Sequence, residues 1–300
     1  MTTESALKPV VVGLGEILWD LLPSGRKLGG APANFAFHAS QLGAQGLVVS
    51  SVGTDALGRD IFGRLPALGL TTRFVTMLDA YPTGTVSVQL DAHGTASYVI
   101  HEGVAWDHIR FVRETEILAS RADAVCVGSL AQRNADSRAT IQRFLTATRT
   151  ECLRIFDLNL RQHYFDREII ETTLHRCQVL KLNDEEWPVL ASLLGIEPTF
   201  PAGLRALLNE YGLSLIALTC GPRGSLLCSP AETDRLEAAP VHVADTVGAG
   251  DAFTGALAVG LLKGRPLPVI HRHAARVAAY LCTQPGATPP LPADLVEPQP

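Results

Sequence analysis

Short apolar runs alternate with stretches of helical periodicity along most of the chain. The apolar runs have the length of buried strands and end at glycine or polar residues, which is typical of a parallel sheet covered by helices. Strands are predicted at 9–15, 46–51, 74–77, 124–128, 154–158, 178–182, 213–219 and 225–228. Helices are predicted at 32–42, 57–68, 135–149, 167–177, 184–194, 204–211, 249–262 and 267–281. This order favours an α/β fold with a mostly parallel sheet.

The section 81–100 interrupts this order with alternating apolar and polar positions. Residues 85–90 and 95–100 alternate on either side of a turn at 91–94, which predicts a hairpin with one polar face. A hairpin alone is marginally stable, and the alternating segment 16–22 is available to pair with it. Residues 23–27 are predicted to form a turn. We expect a small sheet that projects from the main one and covers a site.

Polar residues follow three successive predicted strands, in the segments 157–161, 181–186 and 219–224. Each segment alone is typical of an ordinary polar loop. In open α/β sheets, however, the ligand binds outside the carboxyl ends of the strands. We therefore expect the three segments to converge on one site.

The segment 245–255 combines a glycine-rich turn with an aspartate. Gly248, Ala249 and Gly250 leave backbone N–H groups uncovered, and a helix beginning near Gly248 would point its positive end at the same place. Asp251 then either complements the helix dipole or acts as a base beside an anion-binding site. In both cases the helix end is expected to hold its pKa down and keep it ionised.

Composition excludes several classes of function. The 300 residues carry a net charge of −5 without any block of like charges, which argues against a general nucleic-acid or membrane-surface binder. The polar N-terminus has no apolar signal core, and no apolar run reaches the length of a membrane span. Six dispersed cysteines without a C-x-x-C pair predict free thiols, no zinc site and a cytoplasmic location.

The turn formed by Gly13, Leu14 and Gly15 offers an alternative. It resembles the start of a dinucleotide fingerprint and would suit a nucleotide-linked oxidoreductase. Leu18 replaces the third glycine, however, and strand rather than helix is predicted to follow. The match is therefore weak. A P-loop kinase is disfavoured because no G-x-x-x-x-G-K-[ST] occurs.

Two motifs together resemble the signatures of the ribokinase-like (PfkB) carbohydrate kinases. They are GGAPAN at 29–34 and DTVGAGDAF at 245–253, and GEILWD at 15–20 is most similar to the bacterial fructokinase branch. The resemblance covers 9–290 and implies a three-layer α/β/α fold with a mostly parallel central sheet. It implies a single kinase domain over 1–300, with a β-sheet lid from about 16–28 and 81–104. Residues 286–300 are expected to form an irregular tail.

The resemblance also implies roles for individual residues. Asp251 would be the general base, and the backbone of Gly248, Ala249 and Gly250 the anion hole. The sugar would be bound by Asp20, Gly30 and Asn34, with Arg161 near phosphate or substrate. The nucleotide would be bound by Thr219, Gly221 and Gly224. The phosphates, and Mg²⁺ through water, would be organised by Asn183 and Glu186. A monovalent cation would be bound by Asp245, Val247 and Gly286.

The activity implied is phosphorylation of a sugar hydroxyl by ATP and Mg²⁺, with D-fructose as the leading substrate. Ribose, 2-keto-3-deoxygluconate, nucleoside and phosphosugar kinases remain alternatives. Pro290 stands where the family often has an oxygen donor, so the residues leave dependence on K⁺ open. The expected partner is a small-molecule sugar, without nucleic acid or membrane, and the lid would be the contact of a homodimer.

Overall fold

The computed structural model describes residues 7–23, 25–90 and 96–297. The predicted turn at 91–94 therefore lies outside the described residues. The strands are β1 Val10–Leu14, β2 Leu18–Leu22, β3 Gly25–Gly29, β4 Gln45–Gly53, β5 Val75–Leu78, β6 Thr85–Leu90, β7 Ala96–Ile100, β8 Ala124–Val127, β9 Leu153–Asp157, β10 Val179–Asn183, β11 Leu215–Thr219, β12 Ser225–Cys228 and β13 Thr233–Leu236.

Local capping fixes the ends of several helices. Asp55 and Asp166 accept N–H groups at the beginnings of α2 and α5, and left-handed Gly195 and Gly212 end α6 and α7. The helices are α1 Ala31–Gln41, α2 Ala56–Ala67, α3 Arg113–Ala119, α4 Ala135–Ala147, α5 Arg167–Leu174, α6 Glu186–Leu194, α7 Ala202–Tyr211, α8 Ala249–Leu262, α9 Leu267–Cys282 and α10 Ala293–Val296. Within the described ranges, none is long and apolar enough to cross a membrane.

The main sheet has nine strands in the order β13-β12-β11-β10-β9-β8-β1-β4-β5. All pairs from β11 to β5 are parallel, whereas β12 and β13 add antiparallel pairs at one edge. The prediction of a mostly parallel sheet is confirmed. The chain builds outward from β1 through β4 and β5, and then from its other side through β8. Ligands of such sheets bind where the strand order reverses, here between β1 and β8.

Alternation along the strands divides the core between two layers of helices. In β1, Val12 and Leu14 pack with the cluster of α3–α7, whereas Val11 packs with α1, α8 and α9 on the opposite face. Residues of β8 and β9 alternate in the same way. The three-layer architecture implied by the sequence resemblance is therefore confirmed.

The second sheet has the strand order β3-β2-β6-β7. Strand β2 pairs in parallel with β6, which confirms that the segment after β1 joins the hairpin. The turn predicted at 23–27 is wrong in part, because β3 pairs antiparallel with β2. Trp19 is fully buried, and its indole N–H donates to the carbonyl of Leu57 at 3.0 Å. This contact attaches β2 to the main body.

Three further elements differ from the sequence expectation. Helix α3 spans only seven residues and exposes Ile117, so it has too little periodic pattern to be recognised. Strand β13 (TDRL) is a partly exposed, charged edge strand. Helix α10 interrupts the segment expected to be irregular. All six cysteines are free, as predicted, although Cys220 and Cys282 are only partly buried.

Candidate active site

A cleft of about 1620 Å³ lies at the carboxyl ends of the parallel strands, under the second sheet. Of the site residues predicted from the sequence, all but Asp245 and Gly286 line it. The three polar strand-end segments converge here, as expected.

The glycine turn and the first turn of α8 bring backbone N–H groups together at the cleft. Gly248 has φ 79°, and α8 begins at the next residue. Ala249 donates its N–H to the carbonyl of Thr246 at 3.3 Å, so it is already engaged. Among the described residues, the N–H groups of Gly250 and Asp251 find no acceptor. These two donors, together with the N–H of Gly248, which also has no acceptor among those residues, can receive an anion.

The loop beside this turn is held by a buried histidine. Burial lowers the pKa of His38 to about 4. The neutral ring therefore donates from Nε2 to the carbonyl of Ala287 at 2.9 Å. A side chain at Gly248 would collide with Ala287. The tight turn before α8 thus requires glycine for both its backbone angle and its space.

Asp251 lies at the floor of the cleft and is partly accessible from it. Its Oδ2 accepts a hydrogen bond from Nδ2 of Asn34 at 2.8 Å. Enclosure by protein, followed by the negative charge of Asp157, raises the pKa of Asp251 to about 6, against the opposing effects of Asn34, Lys181 and Arg161. The expectation that the helix end holds this pKa down is therefore wrong. Burial and a neighbouring carboxylate outweigh the dipole.

A buried charge network supports Asp251 from below. Lys181 of β10 lies opposite Asp157 of β9, and its Nζ contacts Asp157 Oδ1 at 3.1 Å. The hydroxyl of Thr254 donates to Asp157 Oδ2 at 3.1 Å. A Cβ on Gly250 would lie only 2.8 Å from Lys181 Nζ, so the ammonium packs directly under the turn. Burial lowers the pKa of Lys181, but the surrounding carboxylates, Asp157 first, raise it overall.

Asn183 and Glu186 form a reciprocal cap at the beginning of α6. The Asn183 Oδ1 accepts the N–H groups of Glu185 and Glu186, and Glu186 Oε2 accepts the N–H of Asn183 at 2.8 Å. The Glu186 Oε1 accepts the N–H of Leu160 at 2.8 Å. Burial raises the pKa of Glu186, while Lys181 opposes the shift. The carboxylate is therefore fixed in place, with a second lone pair on each oxygen still available for water.

The turn after β11 provides backbone surface at the other end of the cleft. Thr219 ends the strand, Gly221 has φ 53°, and Gly224 has φ 91°. A side chain at Gly224 would collide with the carbonyl of Leu236 in β13. Arg223 pairs with Asp184 and thereby closes the turn. Both glycines line the cleft, so its wall carries backbone without a side chain at these two positions.

Acidic residues dominate the end of the cleft under the second sheet. Burial raises the pKa of Asp20, and Arg161 and Lys27 oppose the shift. Glu16, between β1 and β2, was given no role by sequence reasoning. Its Oε1 accepts the N–H of Ala31 at 3.3 Å, Oε2 is buried without a partner among the described residues, and burial raises its pKa to about 7. This end therefore suits a polar, uncharged ligand with several hydroxyl groups.

The three residues predicted to bind a monovalent cation lie together, but the cation that contacts them is the side chain of Lys27. They are Asp245, Val247 and Gly286. The Asp245 Oδ1 accepts the N–H of Val247 at 3.1 Å, and Oδ2 accepts the N–H of Gly286 at 3.0 Å. Lys27 Nζ contacts the same Oδ2 at 3.1 Å. Partial burial alone would raise the pKa of Asp245, but these donors lower it below its ordinary value.

The glycines of the turn after β1 have structural roles instead of dinucleotide binding. A side chain at Gly13 would collide with the carbonyl of Pro32, and one at Gly15 would lie 2.8 Å from the Pro32 ring. They allow α1 to pack closely on β1. The following residues enter β2 instead of a helix, as the sequence predicted.

A dedicated metal cage is not evident in residues 7–23, 25–90 and 96–297, since no group of three His, Cys, Asp or Glu side chains could hold an ion there. Mg²⁺ commonly binds through one or two carboxylates, several waters and substrate phosphates, so Glu186 alone on the protein side fits that ion.

Comparison with known proteins assigns the chain to a group of enzymes. Residues 25–294 match the model of the family described as pfkB family carbohydrate kinase. A fructokinase of Escherichia coli is 28% identical over 297 residues, covering 93% of this chain and 95% of that relative. An ATP-dependent 6-phosphofructokinase of Thermoanaerobacterium thermosaccharolyticum is 26% identical, covering 94% of this chain and 90% of that relative.

A solved structure shares the same architecture. It is a sugar kinase of Pyrococcus horikoshii in complex with ATP, which superimposes with a TM-score of 0.79 at 27% identity. The superposition covers 93% of this chain and 94% of that one.

Proposed function

The chain belongs to the PfkB family of carbohydrate kinases, and we propose that it transfers the γ-phosphoryl group of ATP to a hydroxyl of D-fructose. The observation that carries the proposal is that Asp251 and two uncommitted N–H groups of α8 face one floor of the cleft. Asp251 accepts the hydroxyl proton while the sugar oxygen bonds to phosphorus and ADP leaves. The N–H groups stabilise charge on the transferring phosphoryl oxygens.

ATP is proposed to lie between the turn of Thr219, Gly221 and Gly224 and the beginning of α8. Its phosphates would reach the helix N-terminus, where a positive dipole end favours anions. Glu186 would bind Mg²⁺ through water, and the ion would neutralise phosphate charge. The ATP bound to the Pyrococcus horikoshii relative supports the choice of nucleotide.

A neutral sugar is favoured over a phosphorylated one by the charges at the sugar end. Arg26 and Lys27, the basic residues of β3, are paired with Asp60 and Asp245. Glu16 and Asp20 face the cleft instead. A phosphate group carried by the sugar would therefore meet these two carboxyl groups beside Arg161, while the neighbouring Lys27 is already paired with Asp245. Phosphate binding usually requires several available cations.

Fructose is preferred among neutral sugars because relatives named as fructokinases recur, as in Escherichia coli, Salmonella typhimurium and Klebsiella pneumoniae. Other substrates remain alternatives that the assay below distinguishes. A nucleoside kinase and the 6-phosphofructokinase are also similar to this chain, at 26% identity each. Ribose and 2-keto-3-deoxygluconate are the other alternative substrates.

The test is ADP release measured with a coupled assay over fructose, ribose, 2-keto-3-deoxygluconate, a nucleoside and fructose 6-phosphate. We expect the largest kcat/KM with fructose. A larger kcat/KM with fructose 6-phosphate would contradict the argument that the sugar is neutral. A larger kcat/KM with another neutral compound would identify that compound as the substrate in place of fructose, and the proposed kinase activity would stand. Absence of ADP release with every compound, including fructose, would overturn the proposed activity.

We also propose that a homodimer forms through the lid sheet (β2, β3, β6 and β7), where Tyr98 and Leu21 are exposed at 57% and 37%. Exposed apolar groups on an open sheet are commonly covered by a partner. Sedimentation of wild type and Tyr98→Glu is the test. A monomeric wild type would exclude the dimer. The cytoplasmic location stays a prediction.

A further inference from the structure

A lysine of the lid sheet binds the loop that leads into the anion hole. Lys27 lies in β3, and its Nζ contacts Asp245 Oδ2 at 3.1 Å. The side chain of Asp245 is 19% exposed, and that of Lys27 40%. The ion pair therefore joins the second sheet to the loop that precedes α8. Surface pairs of this kind add little stability, so its position matters more than its energy.

Strand geometry directs Lys27 to this place. Neighbouring residues of a strand point to opposite faces. Arg26 accordingly points the other way, where it pairs with Asp60 at 2.7 Å and lies over the Trp19 ring. Lys27 is the cross-strand neighbour of Asp20, and its charge also opposes the rise in the pKa of Asp20.

The predicted monovalent-cation residues do not fit a free ion in this arrangement. Asp245 is the only charged member of the set, and both of its oxygens already accept N–H groups. One of them, Oδ2, also holds the Lys27 ammonium. A K⁺ ion bound to that oxygen would lie within a few ångströms of a like charge, which is unfavourable without removal of the lysine.

We propose that the Lys27 ammonium takes the place of the monovalent cation, so that the kinase does not need K⁺. The ammonium supplies one fixed positive charge to the loop of Asp245 and Val247, and so holds the turn at Gly248 from which α8 begins. Unlike an exchangeable ion, this charge is covalently attached to the lid sheet. The proposal rests on the proposed kinase activity for one of its two readouts only.

The experiment compares KCl with tetramethylammonium chloride at equal ionic strength. Wild-type turnover and melting temperature should be the same in both salts. In Lys27→Met, turnover in tetramethylammonium chloride should fall by roughly tenfold and return with KCl, and KCl should raise Tm by roughly 2–4 °C as a ligand of the folded state does. Lys27→Arg should remain indifferent to K⁺.

Arg26→Ala is the matched control, because it removes a positive charge from the same strand without touching Asp245. Its turnover and its melting temperature should be the same in both salts. Activation of the wild type by K⁺ would overturn the proposal, and so would a Lys27→Met enzyme that is active and unaffected by K⁺. If Lys27→Met does not fold, Lys27→Gln replaces it. The melting comparison needs no sugar, so it stands even if the sugar panel shows no activity.

Discussion

Asp245 and Asp251 lie on the two sides of the Gly248 turn, yet their ionisation differs in direction. Asp245 is half surrounded by donors, namely two N–H groups and Lys27, and its pKa is lowered. Enclosure and the nearby Asp157 raise the pKa of Asp251 to about 6. The residue in the first turn of the helix is therefore the more basic one. The degree of enclosure, together with the hydrogen-bond donors and charges around each carboxylate, sets its ionisation more than the helix end does.

This difference suits two functions. A carboxylate with a lowered pKa remains charged and can hold a fixed cation. A carboxylate with a pKa near 6 accepts a proton more readily at neutral pH, because general bases are most effective when their pKa lies near the working pH.

Replacing each aspartate separately is the strongest test of this comparison. Asp251→Asn keeps the shape and the contact with Asn34 but removes the base. We expect kcat to fall by about 10²–10⁴-fold, the usual contribution of such a group. Asp245→Asn should reduce kcat by less than about tenfold, since it acts through loop position. Similar losses in both variants, measured by ADP release, would contradict the division of roles.

Removing the lysine beneath Asp251 should affect both stability and pH dependence. Lys181→Met leaves Asp157 buried without its partner, and the free energy of unfolding should decrease by about 3–5 kcal/mol. Asp251 also loses a positive neighbour, so its pKa should rise above 6. The acidic limb of kcat/KM, expected near pH 6 in the wild type, should then move to higher pH.

Urea unfolding and a pH–rate profile provide the measurements. The double variant Asp157→Asn with Lys181→Met is the control, because it removes both charges and should recover part of the lost stability. An acidic limb that stays in place in Lys181→Met would show that Asp251 is not the group that titrates.

Replacing Glu16 should have the smallest effect, and it should stabilise the protein, whereas Lys181→Met should destabilise it. Burial raises its pKa from 4.5 to about 7. The folded state therefore binds a proton that the unfolded state releases, and this stabilisation is complete below pH 4.5 and lost as pH rises through 7. Glu16→Gln should stabilise the protein at pH 8 by at most ~3 kcal/mol, and should have no such effect at pH 4. Thermal unfolding at the two pH values measures the difference. Equal effects at both values would rule out titration of Glu16.

Much of the fold follows from local pattern, and the exceptions have physical reasons. Period-two alternation and helical periodicity place the parallel strands and the long helices. The alternation of β3 was hidden by its glycines and charges (GRKLG), and that of β13 by exposure of an edge strand. In both cases pairing with a neighbouring strand, which the local sequence does not contain, stabilises the extended form.

The candidate site was predictable where its residues are consecutive in sequence. Gly248, Gly250 and Asp251 belong to one motif, and the structure places them together. The Lys181–Asp157 pair depends on the register of two strands, and the Lys27–Asp245 pair joins residues far apart in the chain. The predicted direction of the Asp251 pKa was wrong for a related reason, because the enclosure that raises this pKa, and then the charge of Asp157 in β9, depend on the tertiary fold.

The burial of Trp19 limits how the lid sheet can move. Its indole is enclosed and its N–H is bonded to α2, so displacement of this part of β2 would expose a large apolar surface and break a buried hydrogen bond. Trp19 therefore acts as a fixed pivot. A tilt of the second sheet about that point would displace its far edge strand β7 more than β2, so the part of the sheet nearest Trp19 would keep its place over the main sheet.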